Sequence, residues 1–171
     1  NLAFAAMFLA LAYVMPFLTG QVPRIGAMLC PMHIPVILCG FICGAPWGLI
    51  VGFAAPLLRS LTLGMPPLFP VAVAMAAELA VYGFISGFLY RVFPKNKGFI
   101  YCSLLIAMTA GRLVWGAVQF ICTGLDASEF GFPAFWAGAV TNAISGIILQ
   151  ILLIPPVIML SEKSKLISKK L

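Results

Sequence analysis

The chain has 171 residues, 63% of them hydrophobic and 8% charged, with a net charge of +6. Soluble domains carry about 25% charged residues, so a water-soluble protein is excluded and a single integral membrane domain over residues 1–171 is expected. The positive charge does not point to nucleic acid. It sits in the tail, at Lys163, Lys165, Lys169 and Lys170, and around one short loop, at Arg91, Lys95 and Lys97.

The chain opens at Asn1 without Met, so further residues are expected before it. The first span is expected over Leu2 to Leu18, with Pro16 near its end. A loop from Thr19 to Met32 follows and carries Gly20, Pro23, Arg24, Gly26 and Pro31. The second span, His33 to Gly44, is short against the roughly 20 apolar residues that a crossing needs, and reads as tilted or partly inserted. Ala45-Pro46 breaks it, and the third span runs from Trp47 to Leu63. The stretch from Gly64 to Pro70 holds Pro66, Pro67 and Pro70 and cannot continue a regular helix, because proline lacks the N–H. The fourth span is Val71 to Val92, the fifth Phe99 to Thr123 and the sixth Ala134 to Leu160, with Pro155 and Pro156 near its end. The loop between the last two carries Asp126 and Glu129.

Basic residues favour the cytoplasmic ends of spans. The loop after the fourth span and the tail are basic, while the loop after the fifth is acidic. The expected fold is therefore all-α, a six-transmembrane-helix bundle with both termini cytoplasmic. Arg24 is the exception, a base in an external loop. It reads as a specific contact or as a solvated loop residue. Gly40, Gly44, Gly48 and Gly52 recur at steps of four, as do Gly83 and Gly87. Small residues at that spacing let helices approach closely in lipid, so these are read as packing residues.

Arg59, Glu78 and Arg112 lie inside stretches that otherwise read as lipid-spanning. A charge at bilayer depth costs about 2.5–3.5 kcal/mol on insertion scales, so it normally faces a cavity or a partner. On the fifth span Arg112, Trp115 and Gln119 share one helical face; on the fourth, Glu78 and Tyr82 do; on the sixth, Asn142, Gly146 and Gln150 do. Counted from the external ends at 1.5 Å per residue, Glu78 lies about 12 Å deep, Asn142 about 13 Å and Arg112 about 18 Å. Acid, base and amide on three successive helices at similar depth suggest a polar pocket. A bare ion pair locking the bundle would not need Trp115, Gln119 and Asn142. His33, at the start of the second span, reads as a contact to a covering loop or as a solvated helix end. Arg59 reads as a ligand contact or as a side chain extending outward along apolar surface.

No catalytic set is visible: the chain has one His, and neither a zinc-protease nor a serine-hydrolase motif. An enzyme is therefore not expected. No Gly-rich phosphate loop appears, so ATP-driven transport would draw its motor from other subunits. Of the five cysteines, Cys39 and Cys43 share a face, but with only His33 nearby a closed four-ligand zinc site lacks ligands. No cofactor or metal is expected.

Four segments carry a resemblance. They are Pro31-Met-His-Ile-Pro-Val-Ile-Leu-Cys-Gly, Gly48-Leu-Ile-Val-Gly-Phe-Ala-Ala-Pro-Leu-Leu-Arg-Ser, Gly64-Met-Pro-Pro-Leu-Phe-Pro and Asn142-Ala-Ile-Ser-Gly-Ile-Ile-Leu-Gln. In this order and spacing over six spans, the chain resembles the substrate-binding S component of energy-coupling factor (ECF) transporters. The resemblance implies a vitamin-binding subunit of a prokaryotic cell membrane, partnered by a transmembrane coupling subunit and two cytoplasmic ATPases. It implies substrate near the external face, covered by the loops after the first and third spans. It also implies that small residues four apart in the first helix dock the coupling subunit, and Ala6 and Ala10 match that pattern. Among the family's substrates pantothenate suits an Arg-centred pocket, with pyridoxine and folate open. The competing reading is a stand-alone carrier or an unrecognised membrane enzyme. Carriers often show internal repeats, and none is found here.

Overall fold

The computed structural model describes residues 2–18, 31–94, 96–125 and 144–163. Six α-helices lie within them: α1 Leu2–Leu18, α2 His33–Cys43, α3 Ala45–Leu63, α4 Val73–Val92, α5 Lys97–Leu125 and α6 Ile144–Lys163. No strand occurs among the described residues. Among the described residues four segments are long and apolar enough to cross a membrane: α3, α4 with the turn before it, α5 and α6. α1 and α2 are shorter than that.

The helix boundaries follow from local chemistry. Gly44 alone separates α2 from α3, at φ 100°, a conformation that suits glycine. α3 starts at Ala45, two residues before the expected Trp47, because Pro46 fits the first turn, where its missing N–H has no partner to lose. Gly64, at φ 68°, closes α3 and donates its N–H to the Ser60 carbonyl. The proline-rich stretch beyond it leads into α4 through a kink over Leu68–Ala72, where Phe69 is extended at φ −121° and ψ 135°. α6 runs through Pro155 and Pro156 to Lys163. The expected start of the sixth span, Ala134, lies outside the described residues.

α4 is central, with α3 on one side, α5 on another and α2 packed across it. α2 also meets α1, α3 and α6. All of α2 except Leu38 and Ile42 is buried. Its shortness therefore has a physical reason: protein, rather than bilayer, surrounds it. The recurrent glycines lie where α2, α3 and α4 meet. A Cβ on Gly48 would run into the Gly83 carbonyl, one on Gly83 into that of Gly48, and one on Gly87 into the Gly40 carbonyl. Only glycine allows backbones this close. Two apolar clusters flank the seam. One joins Phe8 and Ala12 to Val36, Val51 and Leu79. The other joins Ile34, Ile37 and Tyr82 to Leu104, Met108, Ile154 and Ile158. Large apolar side chains such as Ile50, Phe53, Phe88, Phe120 and Leu152 cover the outside.

Candidate functional site

Glu78 is buried in α4, at 1% exposure. A carboxylate so placed needs compensating charge and hydrogen bonds. It has them from three helices, all on Oε1. Tyr82, one turn further along α4, donates its hydroxyl at 2.9 Å. Arg112 of α5 brings Nη1 to 3.1 Å. His33, the first residue of α2, brings Nε2 to 3.5 Å. The Tyr82 ring lies 5.3 Å from the His33 ring, centroid to centroid. Another neighbour is Gly111, where any Cβ would collide with it. Gly111 thus lets α5 close onto the Tyr82 ring, and the next residue, Arg112, then reaches Glu78.

Depth agrees with this grouping. Along their helices Glu78 lies about 21 Å from Val92 and Arg112 about 22 Å from Lys97, at 1.5 Å per residue. The acid and base expected at one level are therefore brought into contact. Trp115 is half-buried on the same face of α5. Gln119, two turns beyond Arg112, is buried, and its Oε1 accepts no hydrogen bond.

Arg59 is placed differently. It is buried, yet it points at α1 rather than at Glu78 or outward. Its Nη1 donates to the Tyr13 carbonyl at 2.9 Å, and its guanidinium carbon lies 4.9 Å from the Phe17 ring centroid. The Tyr13 hydroxyl and Thr62 Oγ1 share a further hydrogen bond of 2.9 Å. These contacts tie α3 to the end of α1 beside Pro16, which has no N–H to give. Ala6 and Ala10 are exposed on α1, while Ala5, Phe8 and Ala12 face the bundle. Arg24 and Asn142 lie outside the described residues. Among the described residues no cluster of three metal-ligating side chains occurs.

The sequence reading set Gln150 on a helical face but did not place it among the binding residues. It is 1% exposed on α6, and its Oε1 accepts no hydrogen bond. Its signal was an amide inside an apolar run, one turn after Gly146. Among the described residues the site holds an acid, a base, a phenol, an imidazole and two amides whose Oε1 accepts no hydrogen bond. Such a set can hold a polar solute by charge and hydrogen bonds.

The family described as "ECF transporter, substrate-specific component" matches residues 1–158. No curated protein and no solved structure matches the chain.

Proposed function

We propose a function on one premise: the chain belongs to the ECF transporter substrate-specific component family. It is thus a substrate-specific, multi-pass membrane subunit of such a transporter. On our reading it is one membrane domain of a prokaryotic cell membrane, with both termini cytoplasmic. It captures a small water-soluble vitamin or precursor from outside. It hands that solute on in complex with a transmembrane coupling subunit and two ATPases. Pantothenate is the first candidate, because its carboxylate suits Arg112, with pyridoxine and folate open.

The observation that supports the site is the convergence of His33, Tyr82 and Arg112 on Glu78 from three helices at one depth. Arg112 can hold an acidic group while remaining beside Glu78, since a guanidinium offers five donors. Titration calorimetry with pantothenate tests this. Arg112→Ala should weaken binding about 10- to 150-fold, the value of a hydrogen bond to a charged group. Lys97→Ala, at the basic end of α5, should leave binding unchanged. Equal binding by wild type and Arg112→Ala would remove the site assignment.

A further inference from the structure

The buried face of α6 runs through Gly146, Gln150, Ile154 and Ile158. Ile154 and Ile158 pack in the same apolar cluster as Tyr82, Ile34 and Met108. Gln150 lies one turn before Ile154, as Glu78 lies one turn before Tyr82. Gln150 is about 20 Å from the Lys163 end of α6, the level already found for Glu78 and Arg112. It therefore faces into the bundle at the height of the ion pair, with no side chain at Gly146 on the turn beyond.

A buried amide oxygen without a donor destabilises a fold. An apolar residue of the same size would fill this position better if packing were its role. Two amide acceptors among the described residues are unmet: Gln150 Oε1 and, two turns beyond Arg112, Gln119 Oε1. Among the described residues the site thus offers a cation to an acidic group and, elsewhere, two amide oxygens that need donors.

We propose that Gln150 is a specificity-determining residue. Its Oε1 accepts a hydrogen bond from a hydroxyl or N–H group of a solute whose acidic group is held at Arg112. This rests on the solute-binding reading of the Glu78–Arg112 site and narrows the solute class. The solute carries an acid at one end and hydrogen-bond donors along its body, so a plain alkyl carboxylate binds poorly.

The test uses the full chain in detergent and two probes, pantothenate and pantothenate with its hydroxyl groups methylated. Wild type should prefer pantothenate. Gln150→Met should weaken pantothenate roughly 10- to 100-fold and close the gap between the two probes. The solute-free variant should melt no lower than wild type, because an apolar side chain replaces an unsatisfied amide. Unchanged pantothenate binding by Gln150→Met overturns the proposal. So does a lower melting temperature with equal losses for both probes, which marks a packing residue. Arg112→Ala separates the two levels. If it binds like wild type, or wild type binds no pantothenate, the underlying site reading fails as well. If Arg112→Ala loses binding and Gln150→Met does not, only the role of Gln150 fails.

Discussion

Removing Arg112 should expose how much of the bundle depends on one ion pair. The Glu78 side chain is 2% exposed and that of Arg112 15%, with 3.1 Å between the charged atoms. At an effective dielectric of 20 that separation corresponds to about 5 kcal/mol of attraction, before desolvation is subtracted. Breaking one side of a buried pair costs about 3–5 kcal/mol, because the other charge is left uncompensated. Arg112→Met leaves Glu78 with Tyr82 and His33, so the lower end, about 3 kcal/mol, is expected. Glu78→Gln keeps an acceptor for Tyr82 and leaves a base with some access to water. It should cost about 1.5–3 kcal/mol, the value of a charged hydrogen bond. The double variant carries no buried charge. Its loss should fall short of the sum of the single losses by roughly 2 kcal/mol, within the range found for contacting residues. Unfolding of all four proteins in one detergent, without solute, measures the cycle. Strict additivity would mean that the two charges are not coupled in the folded bundle, and the site would lose its basis.

Other perturbations probe the scaffold and its surroundings. Gly83→Ala places a methyl on the Gly48 carbonyl and should cost about 1–3 kcal/mol of stability by overpacking. Gly98→Ala, with nothing within 4 Å of its Cβ, should be neutral or gain up to about 1 kcal/mol of helix propensity; similar melting of the two would remove the glycine seam from the account. Leu at both Ala6 and Ala10, which are exposed on α1, should block copurification with the coupling subunit and leave solute binding intact; lost binding with retained assembly would make the patch a packing face. With the five native cysteines replaced, a cysteine at Gln21 should react with an impermeant thiol reagent added outside intact cells. Labelling only after lysis would reverse the proposed topology.

The helices were legible because apolar runs and proline or glycine breaks are local signals. Leu2–Leu18 was read end to end, and Val92 was read as the end of α4. Pro46 was read as a break and lies in the first turn of α3. The common depth of Glu78 and Arg112 was also legible, because charges in apolar runs are conspicuous and depth follows from helical rise; their direct contact was the less favoured alternative to a pocket. Arg59 shows where that reasoning stops. It too is a charge in an apolar run, but its partner is the backbone carbonyl of Tyr13, which no residue pattern announces. Gly111 is similar: a lone glycine in a long helix carries no sign that an aromatic ring lies against it. Gln150 was visible as an amide but not as an unsatisfied one, since satisfaction depends on every neighbour in three dimensions.

α4 explains how one small bundle is both rigid and receptive. Leu79, Gly83 and Gly87 form one stripe, and there the helix lies against α2 and α3 with almost no side chain between. Glu78, Tyr82, Ser86 and Tyr90 form the adjoining stripe, again at steps of four, and all are buried. That second stripe is polar at both ends. At one end Glu78 meets Arg112 of α5; at the other the Tyr90 hydroxyl donates to Glu162 of α6. The seam with α2 and α3 cannot open without separating packed backbones, whereas α5 and α6 are pinned to α4 partly by polar groups. Among the described residues α6 meets α2 and α5. On the proposed reading, a polar solute entering beside Glu78 replaces contacts of its own chemical kind. It can part α5 and α6 from α4 while the glycine seam keeps α2, α3 and α4 together as the fixed wall of the site.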